Sequence, residues 1–195
     1  MVDKIAGDKA GISRQDAYSL AVERLKNSAL IKHCLATEAI MRSLAEKLGK
    51  DADMWGIAGL LHDLDYEETK NHPEKHALIT GEILSGRGVN HEIIDAIKSH
   101  NAEALNLERK TNFHYAITAA ENITGLIVAT ALVQPDKKLS QVKPESVIKR
   151  MKEKHFARNV DREAILLCTN IGMSLDEFVR LSIGAMSGIA GVLGL

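Results

Sequence analysis

Ile57-Ala58-Gly59-Leu60-Leu61-His62-Asp63 runs an apolar segment straight into an imidazole and a carboxylate. Burying either polar group unpaired among Leu60, Leu61 and their neighbours would be costly, so the pair needs a compensating partner. Working outward, other metal-capable side chains recur at His33, His76, His100 and Glu121, most of them bordered by apolar residues such as Ile97 and Ile123. Imidazole nitrogens and carboxylate oxygens are the donors that divalent first-row metals take. The spacing therefore points to burial beside a metal ion.

Periodicity around these residues reads almost entirely as helix. Leu30, Cys34, Thr37, Ile40, Met41, Leu44 and Leu48 recur at intervals of three and four, and Gly49 stands where a helix C-cap belongs. Asp51 or Asp53 can cap a second helix through Trp55 and Ile57, which delivers His62 and Asp63 at its C-terminal end. Pro73 can open a third, as its first residue, carrying His76, Ile79, Ile83 and Leu84 up to the Gly86-Arg87-Gly88 turn; Asn90 can cap a fourth running to about His100. A long helix from about Asn112 to Val133 carries Glu121, and Pro135-Asp136-Lys137-Lys138 makes a loop. Helices near Glu145 to Lys154, Arg162 to Asn170 and Leu175 onward complete the pattern. No alternating segment of strand length and no repeat stands out.

Composition bounds the function. At 195 residues the chain can bury one sizeable core, and its length favours a single domain. Lys and Arg total 25 against 26 Asp and Glu, so overall charge makes no case for polymeric nucleic acid or an anionic membrane surface. Cys34 and Cys168 are too few for a disulfide framework, and no basic-then-apolar signal precedes Ser13, which together suggest a reduced, cytoplasmic setting. Leu181 to Leu195, the longest apolar stretch, is Gly-rich and shorter than the roughly 20 residues of a membrane span. It reads as a buried or homo-oligomer-forming C-terminal helix. Met41, Met54, Met151, Met173 and Met186 read as core filler, and His72, His91, His114 and His155 as solvated.

The ordered set His33, His62-Asp63, His76, His100 and Glu121, in its apolar context, resembles the HD superfamily of metal-dependent phosphohydrolases, and within it the HDIG-type branch. The resemblance covers about Leu30 to Lys138. It includes His72-Pro73-Glu74-Lys75-His76 followed by Gly81-Glu82-Ile83-Leu84, Ile93 to Ile97 leading to His100, and Ala119-Ala120-Glu121. It implies an all-α HD-domain bundle with its core over about 30–138, to which the helices over 139–195 are joined by continuity alone as a C-terminal extension of the same single domain. It also implies that His33, His62, Asp63 and Glu121 hold one divalent ion, and that His76 and His100 serve a second, with Asp63 bridging. His62 and Asp63 would be the catalytic pair.

Two departures from the family pattern stand out. Glu121 replaces the usual Asp, and the tetrad reads His62-Asp63-Leu64-Asp65, a carboxylate replacing glycine, with Tyr66, Glu67 and Glu68 next. Such an acidic cluster would repel a phosphate unless paired or turned outward. Asp65, Glu67 and Glu38 are the expected partners that would hold the histidine tautomers. Lys98, Lys137 and Lys138, with Arg109 and Lys110, are the basic residues available for a phosphate.

The expected function is hydrolysis of a small phosphomonoester or phosphodiester, plausibly a nucleotide, with one or two ions of manganese, iron, nickel, cobalt, zinc or magnesium. A di-iron oxygenase and a non-catalytic ligand-binding domain are the alternatives.

Overall fold

In the computed structural model, which describes residues 9–195, Ser13 opens the first helix, α1 (Arg14–Arg24), its hydroxyl accepting from the Asp16 amide. Asn27 caps α2 (Ser28–Leu48), which ends on Gly49 at φ 64°, and Asp51 caps α3 (Ala52–Leu61) by accepting from the Asp53 and Met54 amides. A short α4 (Tyr66–Thr69) and a run of turns lead to α5 (Leu78–Gly86). Asn90 caps α6 (His91–His100), α7 (Ala102–Leu105) follows, and Thr111 caps the long α8 (Asn112–Leu132). Then come α9 (Pro144–Met151), α10 (Arg162–Leu166) with a 3-10 turn over Leu167–Ile171, α11 (Leu175–Ser187) and α12 (Ala190–Leu193). No strand occurs among the described residues, and the all-α expectation holds.

The helices pack around α2 and α8. α2 lies against α3, α8, α11 and α12; α3 also touches α1, α6 and α8, and α6 sits between α5 and α8. One cluster of buried residues runs from Ile40 and Leu44 through Ile57, Leu60, Ile97, Ile123 and Ile127 to Val147, Phe178 and Leu193. Buried from Met54 to Leu61, α3 is apolar all round because neighbours enclose it. Gly59 makes that closeness possible, since a Cβ there would stand 2.9 Å from the Glu38 amide and the Thr37 carbonyl. Glu38, almost wholly buried, accepts from Arg14 at 2.7 Å and Arg42 at 3.0 Å, and Arg42 also donates to Asp53 at 2.7 Å. These bonds tie α1, α2 and α3 together.

Three expectations from the sequence change. α1 lies outside the helices that periodicity marks, although Ser13 followed by Asp16 is a capping signal. The third helix begins at Leu78 rather than Pro73, because Ala77 adopts φ 69°, a left-handed conformation that no helix interior accommodates. His76 therefore sits in a turn. The last helix is broken, ending at Ser187 and resuming at Ala190, with Ile189 at φ −121° between. As for membranes, α8 is the one described helix long and apolar enough to cross one, and 61% of that window is buried inside the protein, as a core helix would be.

The Gly59 contact is with backbone, which cannot swing aside. Gly59→Ala is expected to destabilise the fold by about 1–3 kcal/mol, as overpacking does, seen as a lower urea midpoint at unchanged slope; an unshifted midpoint would show that α2 and α3 yield without strain.

Candidate metal centre

His62 and Asp63 leave the end of α3, His33 projects from α2, His76 from the turn before α5, and His100 from the last turn of α6. Their side chains converge. His33 Nε2 lies 3.1 Å from His62 Nε2, and His76 Nε2 lies 2.9 Å from His100 Nε2. Asp63 stands between the pairs. Its Oδ2 is 3.5 Å from His62 Nε2 and 3.8 Å from His33 Nε2; its Oδ1 is 3.2 Å from His76 Nε2 and 3.7 Å from His100 Nε2. Two ligand groups result, His33-His62-Asp63 and Asp63-His76-His100, each with donor atoms within 4.8 Å of one another.

The outward ring nitrogens fix the tautomers. His62 Nδ1 donates to the Gly59 carbonyl at 2.9 Å and His100 Nδ1 to the Ile97 carbonyl. Thr124 spends its hydroxyl proton on the Glu121 carbonyl at 2.6 Å, so it accepts from His33 Nδ1 at 2.8 Å. His76 Nδ1 donates to Asp65 Oδ1 at 2.8 Å. With every Nδ1 carrying its proton outward, the Nε2 positions face inward and are acceptors wherever the ring is neutral. Two lone pairs meeting across 3.1 Å repel, so the His33–His62 pair calls for a shared proton or a cation between them. Four imidazole nitrogens and two carboxylate oxygens form an N/O donor set that fits divalent first-row ions.

Burial, helped by neighbouring His62, pulls the His33 imidazole down to about 4 despite Asp63. Burial, with His62 and His76 nearby, takes His100 to about 3. Burial opposes protonation of His76 too, but its bonds to Asp63 and Asp65 outweigh it and hold that ring at about 9. Burial would raise the Asp63 carboxyl; the surrounding histidines instead hold it well below the usual carboxylate range. At neutral pH without metal, His76 thus carries a second proton, on Nε2, directed at Asp63 and His100.

Asp65 resolves the anomaly at the fourth position of the tetrad. Fully buried, it accepts from the His76 ring, from the Ala77 amide at 3.2 Å and from the Thr80 amide at 2.9 Å. It thereby orients a histidine and caps α5. Glu67 accepts from the Lys26 amide at 2.6 Å and Glu68 pairs with Arg24, so the acidic segment is engaged with the α1–α2 corner. Of the three expected orienting carboxylates, Asp65 contacts a histidine, Glu67 does not, and Glu38 is bound to arginines.

Five of the six expected ligands come together. Glu121 stands outside both groups, its carboxyl bonded to the Asn122 amide, while burial and the Asp63 charge raise its pKa well above the ordinary value. Lys98 lays its stem over Gly81, where a Cβ would meet its Cε at 2.7 Å. Lys137 and Lys138 are exposed in the loop beyond α8, whose last residue stands about 16 Å along the helix from Glu121. Arg109 is committed to Glu103 and to the Thr118 hydroxyl at 2.9 Å. Thr124 is the residue that sequence reasoning missed; its place one turn after Glu121 was the available signal.

Among known protein families, that described as HD domain matches residues 30–169. Ribonuclease Y of Nitratidesulfovibrio vulgaris, strains DP4 and Hildenborough, is 31% identical over 96 residues, covering 49% of this chain and 18% of that protein. The chain thus spans about a fifth of the length of these relatives. No solved structure matches significantly.

The depressed His33 and His100 values mean that, as pH falls from 6.5 towards 4, the unfolded chain takes up protons the folded chain refuses, and stability falls. The raised His76 value acts oppositely: its contribution is full below 6.5 and is lost as pH rises through about 9. Chelator-treated protein is expected to be most stable near pH 6.5, with lower urea midpoints at both pH 5 and pH 8.5; a midpoint rising steadily across that range would contradict these assignments.

Proposed function

Because the chain belongs to the HD-domain family, we propose that it is a metal-dependent phosphohydrolase cleaving a small phosphomonoester or phosphodiester. The observation that carries this reading is the Asp63 carboxylate, with one oxygen facing His33 and His62 and the other facing His76 and His100. Each half would hold one divalent ion and Asp63 would bridge them. Such ions supply a water of lowered pKa and polarise a phosphoryl oxygen.

The protein's own groups do the rest. The Gly59 and Ile97 carbonyls, Thr124 and Asp65 keep the four rings aimed inward, so little reorganisation is needed on loading. To serve as a ligand through Nε2, His76 would have to lose the proton that nitrogen carries at neutral pH to solvent. With Asp65 buried and hydrogen-bonded to the His76 ring and two amides, and Glu67 and Glu68 engaged elsewhere, the acidic segment is turned away from an incoming anion. Glu121 would join the His33–His62 half only by releasing Asn122 and ionising, which burial and the Asp63 charge oppose. Ribonuclease Y is by its name a hydrolase of RNA, which agrees with phosphoester chemistry here without assigning a substrate.

A di-iron oxygenase would use the same two ligand groups, and oxygen dependence separates the two readings. Manganese-loaded protein is expected to release phosphate from its ester substrate equally fast under argon and in air; activity that stops under argon, with two irons per chain, would establish the oxygenase instead.

Asp63→Ala is expected to abolish loading of both halves and all activity. Asp65→Asn should weaken the ion at His76 and His100 by roughly 10- to 100-fold, as loss of a ligand-orienting carboxylate typically does, and spare the other. Metal analysis across a free-metal titration checks this; a single unperturbed two-ion isotherm for Asp65→Asn would remove Asp65 from the site.

A further inference from the structure

A cavity of about 380 Å³ opens between α2, the C-terminal half of α8 and the turn after α12. Ala29, Ala36, Val128, Leu132, Leu193 and Leu195 wall it, and it meets the histidine cluster at His33 and Thr124. His33 is the most exposed of the four imidazoles, at 25% against 1% for His62, 14% for His76 and 6% for His100. His33 is the imidazole of the cluster that lines this cavity.

The cavity offers little hydrogen bonding. The Thr124 hydroxyl is spent on Glu121 and His33, and the Gly194 and Leu195 amides both donate to the Ala190 carbonyl, at 2.9 and 3.1 Å. Lys32 at the rim has no hydrogen bond or ion pair among the described residues. Gly194, at φ 75°, folds the chain back so closely that a Cβ would lie 3.0 Å from Lys32 Nζ, so the ammonium lies against the C-terminal turn that lines the cavity.

We propose that this cavity takes the organic part of the substrate, and that this part is apolar: a phosphate ester of a small aliphatic or aromatic alcohol, its phosphate at the cluster beside Lys32. A nucleoside would bury base and ribose groups against wall side chains that offer no free donor or acceptor besides the Lys32 ammonium, at a cost for each group left unpaired. The volume lies within the range of small-molecule sites. The phosphate half of this assignment rests on the phosphohydrolase reading; the apolar half does not.

The test uses the metal-free full chain first. Titration with 1-propanol, 1-butanol and 1-hexanol, followed by methyl NMR, should shift Val128, Leu132, Leu193 and Leu195, with dissociation constants falling about fourfold per added methylene. Leu132→Asp and Val128→Gln, at exposed and half-buried positions, should weaken hexanol binding at least tenfold while melting temperature stays near wild type. In manganese-loaded protein, hexyl phosphate should then exceed adenosine 5′-monophosphate in kcat/KM. No dependence on chain length, or shifts remote from these methyl groups, would overturn the cavity assignment. A preference for the nucleotide would overturn the substrate class while leaving hydrolysis intact. Alcohols bound at these methyl groups with no phosphate ester cleaved would overturn the phosphohydrolase reading and leave the apolar site standing.

Discussion

A single carboxylate set between four imidazoles is the constraint on which the rest of the structure depends. Asp63 is nearly buried, at 6% exposure, and a charge so placed is tolerable only because nitrogens surround it on both sides. Those nitrogens come from α2, the end of α3, the turn before α5 and the end of α6, so the packing of these elements and the electrostatics of the site are one problem. The tight α2–α3 approach at Gly59 illustrates the link: the residue that lets the helices meet also supplies the carbonyl that orients His62.

Much of this was legible in the sequence because it rests on local rules. Asn90 and Asp51 cap helices as their side chains dictate, Gly49 ends α2 in a left-handed conformation, and the apolar run into His62-Asp63 marks a helix enclosed by neighbours. What escaped the reading depends on contacts distant in sequence. Pro73 looks like a helix opening, but Ala77 turns left-handed and the carboxylate of Asp65 takes up the Ala77 and Thr80 amides, so the helix starts at Leu78. Likewise Thr124 reads as an ordinary helix residue until His33 is brought against it.

Asp65 shows how a departure from a family pattern can be absorbed. An extra buried negative charge beside a ligand cluster would ordinarily oppose anion binding, yet here three donors neutralise it, one of them a ligand ring. The same substitution fixes the conformation of the segment carrying His76, so ring orientation and helix initiation become coupled. Glu121 presents the contrary case. Its carboxyl is turned to Asn122, and burial, with the charge of Asp63, discourages its ionisation.

The bond between His33 and Thr124 spans 91 positions, whereas Asp63, His76 and His100 lie within one stretch of chain. Loop closure makes distant pairings late events in folding, and synthesis at about 5–20 residues per second delivers α8 several seconds after α2. On a growing chain the Asp63, His76 and His100 donors can therefore assemble first, while the ring of His33 gains its fixed orientation only when α8 docks. The order in which the two halves mature is thus written into chain topology.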